Sequence, residues 1–178
     1  LISPEKIFRG NSAWAKALPH ISELSKRPLL LGRSNATNNI RRQINKDLYD
    51  ENLSVYSSNL QFDCCYEDLE RIKGIILKKN CDSIVAAGGG KVLDAGKFLA
   101  DSLSIPVFTI PLSASTCAGW TALSNIYSTK GQFIEDIQLK SCPEILVIDH
   151  GFIKTAPKRT LSSGIADALA KWYESSLT

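Results

Sequence analysis

The sequence contains no methionine among its 178 residues, not even at position 1. It has no apolar run near the ~20 residues that a membrane-spanning helix needs. Its first residues also lack the apolar core of a signal peptide. We therefore expect a piece of a longer protein that neither crosses a membrane nor is exported.

Cysteine patterns and clustered charge are also missing. The five cysteines are an odd number and form no CxxC pair, which argues against a disulfide framework and a zinc knuckle. Unpaired cysteines are typical of the reducing cytosol, so we expect a cytoplasmic location. The net charge of +3 is small and the basic residues form no block, so we expect no nucleic-acid partner.

What the chain does contain is typical of a globular α/β protein. Its apolar fraction is 44% and its charged fraction 22%, which is ordinary for such proteins. Short apolar runs alternate with amphipathic stretches, a pattern that favours a Rossmann-like, mostly parallel sheet with flanking helices. We assign this α/β domain to residues 1–155. From Lys158 the apolar spacing is helical throughout, so residues 156–178 are expected to begin an all-helical domain.

The most informative stretch is Ser83–Lys97, SIVAAGGGKVLDAGK. It predicts a buried strand, a turn of three glycines and an amphipathic helix. The free N–H groups at a helix start, together with the helix dipole, favour a bound phosphate. Lys91 would add a positive charge. Because three glycines make neither GxGxxG nor a P-loop, a tight connection without a ligand stays open.

An earlier strand–turn–helix unit begins with the buried run Pro28–Leu31 and turns at Arg33. In dinucleotide-binding sheets, the residue after such a strand often contacts the ribose, and an acid there favours NAD. Arginine could accept a 2′-phosphate instead. A solvated loop charge is an equally good interpretation of Arg33.

Further elements follow from local patterns. Leu53–Tyr56 is predicted as a strand. Pro106–Ile110 is predicted to lie parallel to Ser83–Ala87, and the hydroxyl-rich segment Ser113–Thr121 comes at its carboxyl end, where ligands bind in open α/β sheets. A polar loop is the alternative there. Turn residues 129–131 between two strand-like runs predict a hairpin.

Three motifs together resemble the glycerol dehydrogenase branch of the iron-containing (group III) alcohol dehydrogenases. They are GGGKVLDAGK at Gly88–Lys97, SASTCAGWTALSNIYSTKG at Ser113–Gly131, and SGIADALAKWYE at Ser163–Glu174. Each motif is weak alone, but their order and spacing fit the family.

The resemblance implies a set of site residues. Cofactor contacts would come from Arg33, Gly88, Gly89, Gly90, Lys91, Val92, Leu93, Asp94, Leu112, Ser113, Ala114, Ser115, Thr121, Leu123 and Tyr127. The cofactor would be NAD or NADP. Asp167 would be the first ligand of zinc or iron. Two histidines of the helical domain normally complete that site and would lie beyond Thr178, so we expect residues 1–178 alone to be inactive.

Two positions depart from the family pattern. Cys117 stands where glycerol dehydrogenases carry the aspartate that contacts the polyol, and a thiol cannot accept two hydroxyl hydrogen bonds as a carboxylate does. Arg33 stands where the NAD enzymes usually place an acid. The substrate is therefore expected to be a small alcohol or polyol that the sequence does not identify further, and Arg33 favours tolerance of NADP.

The implied activity is metal-dependent hydride transfer between that alcohol and the nicotinamide, in what we expect to be a homo-oligomer. One alternative is a lyase similar to dehydroquinate synthase, which uses NAD transiently. The other is a nucleotide-binding relative without catalysis.

Overall fold

The structure is a computed structural model that describes residues 3–176. Its elements run β1 (Lys6–Gly10), α1 (Ala13–Leu24), β2 (Pro28–Gly32), α2 (Asn38–Asp50), β3 (Tyr56–Asn59), α3 (Tyr66–Lys79), β4 (Ser83–Gly88), α4 (Gly90–Leu103), β5 (Val107–Pro111), β6 (Leu123–Tyr127), β7 (Phe133–Gln138), β8 (Ile145–Asp149), α5 (His150–Lys154) and α6 (Lys158–Ser176). A short 3₁₀ turn at Asn35–Thr37 precedes α2.

Six strands form one sheet in the order β1-β8-β5-β4-β2-β3. Every pairing in it is parallel. The predicted Rossmann-like fold is therefore confirmed, and β4 lies in the interior of the sheet between β5 and β2. Parallel strands are joined by crossovers, here mostly helices, and these cover both faces.

The core lies on both faces of the sheet because successive side chains of a strand point to opposite sides. Leu29 and Leu31 of β2 pack with α3 and α4 on one face, whereas Leu30 packs with α1 and α2 on the other. Strand β4 alternates in the same way. This explains why the central strands read as continuous apolar runs.

Helix α4 packs directly on β4 because its Gly96 has no side chain. A Cβ at Gly96 would lie only 2.5 Å from the Cβ of Ala86. Such close contact fixes the first turn of α4 at the carboxyl end of β4, where the glycine turn lies.

Strands β6 and β7 form the predicted antiparallel hairpin as a separate two-stranded sheet. The hairpin packs on α4, and Ser124 donates a hydrogen bond to the carbonyl oxygen of Asp94 at 2.9 Å. The predicted strand Leu53–Tyr56 was placed too early, since β3 covers Tyr56–Asn59. Leu53 is buried in the loop before β3 and there produced the misleading apolar signal.

Helix α6 lies largely outside the core. Five of its apolar side chains are more than half exposed: Leu161, Ile165, Leu169, Trp172 and Tyr173. The division into domains at residues 155 and 156 remains a prediction. Among residues 3–176, no helix is both long and apolar enough to cross a membrane.

Candidate functional site

The sheet changes direction between β2 and β4. From β2 the chain moves to β3 at one edge, and it then returns to β4 on the other side of β2. In open parallel sheets, ligands bind outside the carboxyl ends of the strands at such a switch point. A cleft of about 240 Å³ lies there and is lined by Arg33, Ser34, Thr37, Gly88, Gly89, Gly90, Lys91 and Val92. We call it the switch-point cleft.

The glycine turn leaves room for a ligand in this cleft. A Cβ at Gly89 would find only the hydroxyl of Ser113, at 4.0 Å. The amides of Val92 and Leu93 already donate to the carbonyl oxygen of Gly89. Gly90 precedes them in the first turn of α4, where amides have no partner one turn back. This arrangement fits a phosphate group at the helix start.

Two cations and one carboxylate meet at the mouth of the cleft, and we call them the Asp63 cluster. Lys91 Nζ lies 2.5 Å from Asp63 Oδ2, and Arg33 Nη2 lies 2.9 Å from Asp63 Oδ1. The side chain of Asp63 is 9% exposed. The cluster therefore carries one net positive charge, suited to an anionic ligand.

A second pocket, of about 310 Å³, adjoins the cleft. Its lining residues are Gly90, Lys91, Asp94, Ser115, Thr116, Cys117, Ala118, Thr121, Leu123, Asn125 and Tyr127. Gly90 and Lys91 line both spaces. The two spaces are therefore contiguous around the start of α4, and we call the second one the hydroxyl pocket.

Asp94, which lines the hydroxyl pocket, belongs to a buried ion pair. Lys97 Nζ lies 3.0 Å from Asp94 Oδ1, and the Lys97 side chain is 1% exposed. Burial raises the pKa of Asp94 above its ordinary value, although Lys97 and the amide of Asn125 act in the opposite direction. Lys97 also donates to the carbonyl oxygens of Thr121 and Leu123. The pair thus holds the segment leading into β6 on α4.

Cys64, a buried cysteine on which the charges of this ion pair act, is not reactive. Burial, and next the charge of Asp94, raises the pKa of Cys64 to about 12. A thiol with such a pKa stays protonated at neutral pH, so Cys64 is a packing residue.

Four predicted cofactor residues do not line either space. Leu93 and Leu112 are buried in the core. Ser113 bonds to the hydroxyl of Ser115 at 3.0 Å, although it also faces Gly89. The carbonyl of Ala114 faces α6 instead. The side chains of Leu93 and Leu112 therefore support the glycine turn and the loop after β5 from below.

Cys117 is exposed at the rim of the hydroxyl pocket, on the loop that α6 passes. The contact occurs at Gly164, where a Cβ would lie 1.7 Å from the carbonyl oxygen of Ala114. About two turns further on, Lys171 bonds to Glu174 at 3.0 Å. That bond is the main cause of the raised pKa of Lys171, and the nearby charge of Asp167 adds to it.

Asp167 has no partner ligand of a metal in the described part of the chain. Residues 3–176 contain no group of three or more His, Cys, Asp or Glu side chains that could hold a metal ion. A catalytic zinc takes three protein ligands. One exposed carboxylate does not make such a site, so residues 3–176 do not fit a complete metal centre.

Several site residues were missed by the sequence analysis. Ser34 and Thr37 border the switch-point cleft, and Thr116, Ala118 and Asn125 border the hydroxyl pocket. The most consequential is Asp63. It lies in the loop between β3 and α3, in which the sequence analysis named no site residue. No local pattern connects that loop to Arg33 or Lys91, since only the folded sheet brings the three together.

A comparison with known families identifies the chain. Residues 4–150 match the family model described as iron-containing alcohol dehydrogenase. The chain belongs to the iron-containing alcohol dehydrogenase family. The motifs of the sequence and the fold thus indicate the same family.

Relatives within the iron-containing alcohol dehydrogenases are similar along nearly the whole chain. An uncharacterized oxidoreductase of Synechocystis is 37% identical over 99% of this chain and 46% of its own length. A glycerol dehydrogenase of Escherichia coli is 33% identical over 97% of this chain and 47% of its own. The crystal structure of a glycerol dehydrogenase from Schizosaccharomyces pombe superimposes with a TM-score of 0.85 at 28% identity, covering 97% of this chain and 44% of that one. The chain spans about half the length of the curated relatives it matches.

Proposed function

We propose that the whole protein is a nicotinamide-dependent oxidoreductase that acts on a small alcohol or polyol. The observation that carries the proposal is the glycine turn at the switch point, with open space at Gly89 and the cations Arg33 and Lys91 beside it. The names of two relatives, both glycerol dehydrogenases, support the alcohol as substrate class.

The residues present fit a dinucleotide better than a single phosphate. The switch-point cleft and the hydroxyl pocket share Gly90 and Lys91, so one extended ligand can occupy both. Its pyrophosphate would lie at the start of α4, where amides and Lys91 stabilise negative charge. Its nicotinamide half would enter the hydroxyl pocket, whose threonine and serine hydroxyls can donate and accept hydrogen bonds.

The bound nicotinamide would supply the hydride chemistry, and the protein would supply position and charge. Within this chain, Asp94 and Lys97 hold the segment at Thr121 and Leu123, so that the wall of the pocket keeps its shape. Cys117 lies at the rim where an alcohol would approach. A thiol offers only weak hydrogen bonding, so we propose a less polar alcohol than glycerol as the substrate.

We also propose that Asp167 is one ligand of a metal ion in the whole protein. Residues outside those described would supply the other ligands of this metal site. In the full-length protein, Asp167→Asn is expected to lose bound zinc or iron and turnover together, because a neutral amide compensates the charge of a cation poorly. Metal content by elemental analysis and turnover measure this. Glu174→Gln, on the same helix, is the matched control and should keep both. Retention of metal and activity in Asp167→Asn would refute the metal assignment.

The test of the cofactor site is Gly89→Val in the full-length protein. Its Cβ fits the unliganded fold, since the backbone at Gly89 is extended (φ −83°, ψ −179°) and only Ser113 is near. The valine would fill the cleft, so binding of NAD and NADP in a calorimetric titration should be abolished while the melting temperature stays the same. Gly74→Val, at an exposed helical glycine with open space around it, is the control that should bind normally. Unchanged affinity in Gly89→Val would show that the nucleotide binds elsewhere.

A further inference from the structure

Asp63 is a buried carboxylate shared by two cations from different parts of the chain. Lys91 belongs to the first turn of α4 and Arg33 to the loop after β2, whereas Asp63 comes from the loop after β3. The carboxyl ends of all three strands meet at one edge of the sheet. Asp63 therefore bridges the switch-point cleft at its mouth.

The two ion pairs of Asp63 differ in quality. Lys91 donates a hydrogen bond to Oδ2, and its ammonium also lies 4.5 Å from the ring centre of Tyr127. Oδ1 is buried and accepts no hydrogen bond, although Arg33 Nη2 lies 2.9 Å away. Lys91 is thus fixed on two sides. Arg33, with 44% of its side chain exposed, is held near Asp63 by charge alone.

Arg33 is therefore the cation whose partner can be exchanged. It lies on the loop after β2, where the adenosine ribose binds in dinucleotide-binding sheets. A phosphate on the ribose 2′-hydroxyl would add about −1.5 to −2 charges, as phosphate monoesters do near neutral pH. To pair with Arg33, this phosphate would have to compete with Asp63 and would also meet the repulsion of its carboxylate.

We propose that Asp63 is a specificity-determining residue that acts through Arg33 and disfavours the 2′-phosphorylated dinucleotide. The inference rests on the proposed function, since it assumes that a nicotinamide dinucleotide occupies the cleft. Without the 2′-phosphate, the ligand gains from Lys91 and the helix start and needs nothing from Arg33. With the 2′-phosphate, the ligand meets an arginine whose charge Asp63 has already compensated. The preference for NAD thus follows from Asp63, even though the residue after β2 is an arginine.

The experiment measures the affinity of the full-length protein for NAD and for NADP by calorimetry. In Asp63→Asn, the affinity for NADP should rise about tenfold, the effect of one added charge-assisted hydrogen bond. The affinity for NAD should change by less than about threefold, because Lys91 keeps an oxygen acceptor in the asparagine. Asp50→Asn is the matched control. It removes a carboxylate that pairs with a lysine at the far end of α2 and should leave the ratio of the two affinities unchanged.

The double variant Asp63→Asn with Arg33→Gln tests whether Asp63 acts on the affinity for NADP through Arg33. It should return the ratio to that of the unchanged protein, and a ratio that stays raised would overturn the role of Arg33. An unchanged ratio in Asp63→Asn would overturn the inference itself, while binding of both nucleotides would leave the proposed function standing.

Arg33→Gln alone keeps the inference testable if Asp63→Asn does not fold, because Arg33 is exposed. Since Asp63 already compensates Arg33, the affinity for NADP should fall by less than about threefold. A loss of more than about tenfold, the size of a full charge-assisted hydrogen bond, would overturn the inference. If the unchanged protein binds neither nucleotide, the proposed function fails and the inference fails with it.

Discussion

Two lysines lie six residues apart on α4, and each pairs with a buried aspartate, yet the lysines differ in exposure. Lys97 is 1% exposed and pairs with Asp94, one turn away on the same helix. Lys91 is 36% exposed and pairs with Asp63 from a distant loop. The Lys97 pair holds the hairpin on the helix, whereas Lys91 leaves charge at the mouth of a cleft. The comparison shows that burial of the lysine, rather than of its aspartate, separates a structural ion pair from one that a ligand can use.

The largest expected effect comes from breaking the buried pair. Lys97→Met should lower the free energy of unfolding by about 3 to 5 kcal/mol, because it leaves the carboxylate of Asp94 buried without its partner. It also removes the hydrogen bonds to Thr121 and Leu123. Urea unfolding followed by circular dichroism measures the change. A loss below about 1 kcal/mol, as at exposed pairs, would mean that the pair is not structural.

Breaking the pair at the cleft mouth should affect binding more than stability. Lys91→Met should lower the free energy of unfolding by less than Lys97→Met does, because the buried carboxylate of Asp63 keeps Arg33 at 2.9 Å after Lys91 is lost. The affinity for NAD should fall about tenfold with the loss of a charge-assisted contact to phosphate. Calorimetry and urea unfolding of the same samples separate the two effects. Lys46→Met, which breaks an exposed pair on α2, should change neither. Equal loss of stability in the Lys91 and Lys97 variants would contradict the comparison.

Salt should also distinguish Lys91 from Lys97, with a smaller effect than the substitutions have. Between about 0.1 and 1 M salt, the screening length falls from about 10 to about 3 Å. The affinity for NAD should therefore fall several-fold, because Lys91, which would stabilise the pyrophosphate, is 36% exposed. The difference in unfolding free energy between the unchanged protein and Lys97→Met should stay constant, since the buried pair is shielded from ions. A difference that shrinks with salt would show that water reaches Asp94.

The smallest effect is a pH dependence at Asp94. Burial raises its pKa above 3.8 in the folded state, so the folded protein binds that proton more tightly than the unfolded chain. The contribution of this group to stability is therefore greatest below pH 3.8 and is lost as the pH rises through the raised pKa. The stability of the unchanged protein relative to Asp94→Asn should accordingly fall over this range. Urea midpoints of both proteins at several pH values measure it, and a relative gain with rising pH would contradict the assigned direction.

The sequence was sufficient for features that depend on local pattern. The glycine turn and the hairpin around Gly131 each follow from turn residues and apolar spacing, and the structure has both. The predicted position of strand β3 was wrong because its four residues, YSSN, contain no apolar run. An edge strand needs less burial than a central one, so its hydrophobic signal is weak.

Asp63 and Lys97 could not be predicted because their roles depend on contacts between distant segments. Helical spacing predicts which residues of α4 face the sheet, but Lys97 and Asp94 are buried by β6 on the opposite side. Asp63 belongs to the site only through its ion pairs with Arg33 and Lys91, which the strand order brings beside it. Charged side chains have no periodic signal when their partners lie on other elements. The resemblance to a family named most of the lining residues, but it did not point to either charge.

The parallel pairing of β1 with β8 has a consequence for how the protein is made. Lys6 lies opposite Ile145, and the amide of Trp14 donates to Asp149, 135 residues further along the chain, at 3.0 Å. A ribosome that adds about 5 to 20 residues per second releases β1 several seconds before its partner exists. Until β8 emerges, β5 is the temporary edge of the nascent sheet and β1 has no strand to join. We therefore expect β1 to join the sheet only after β8 has been synthesised.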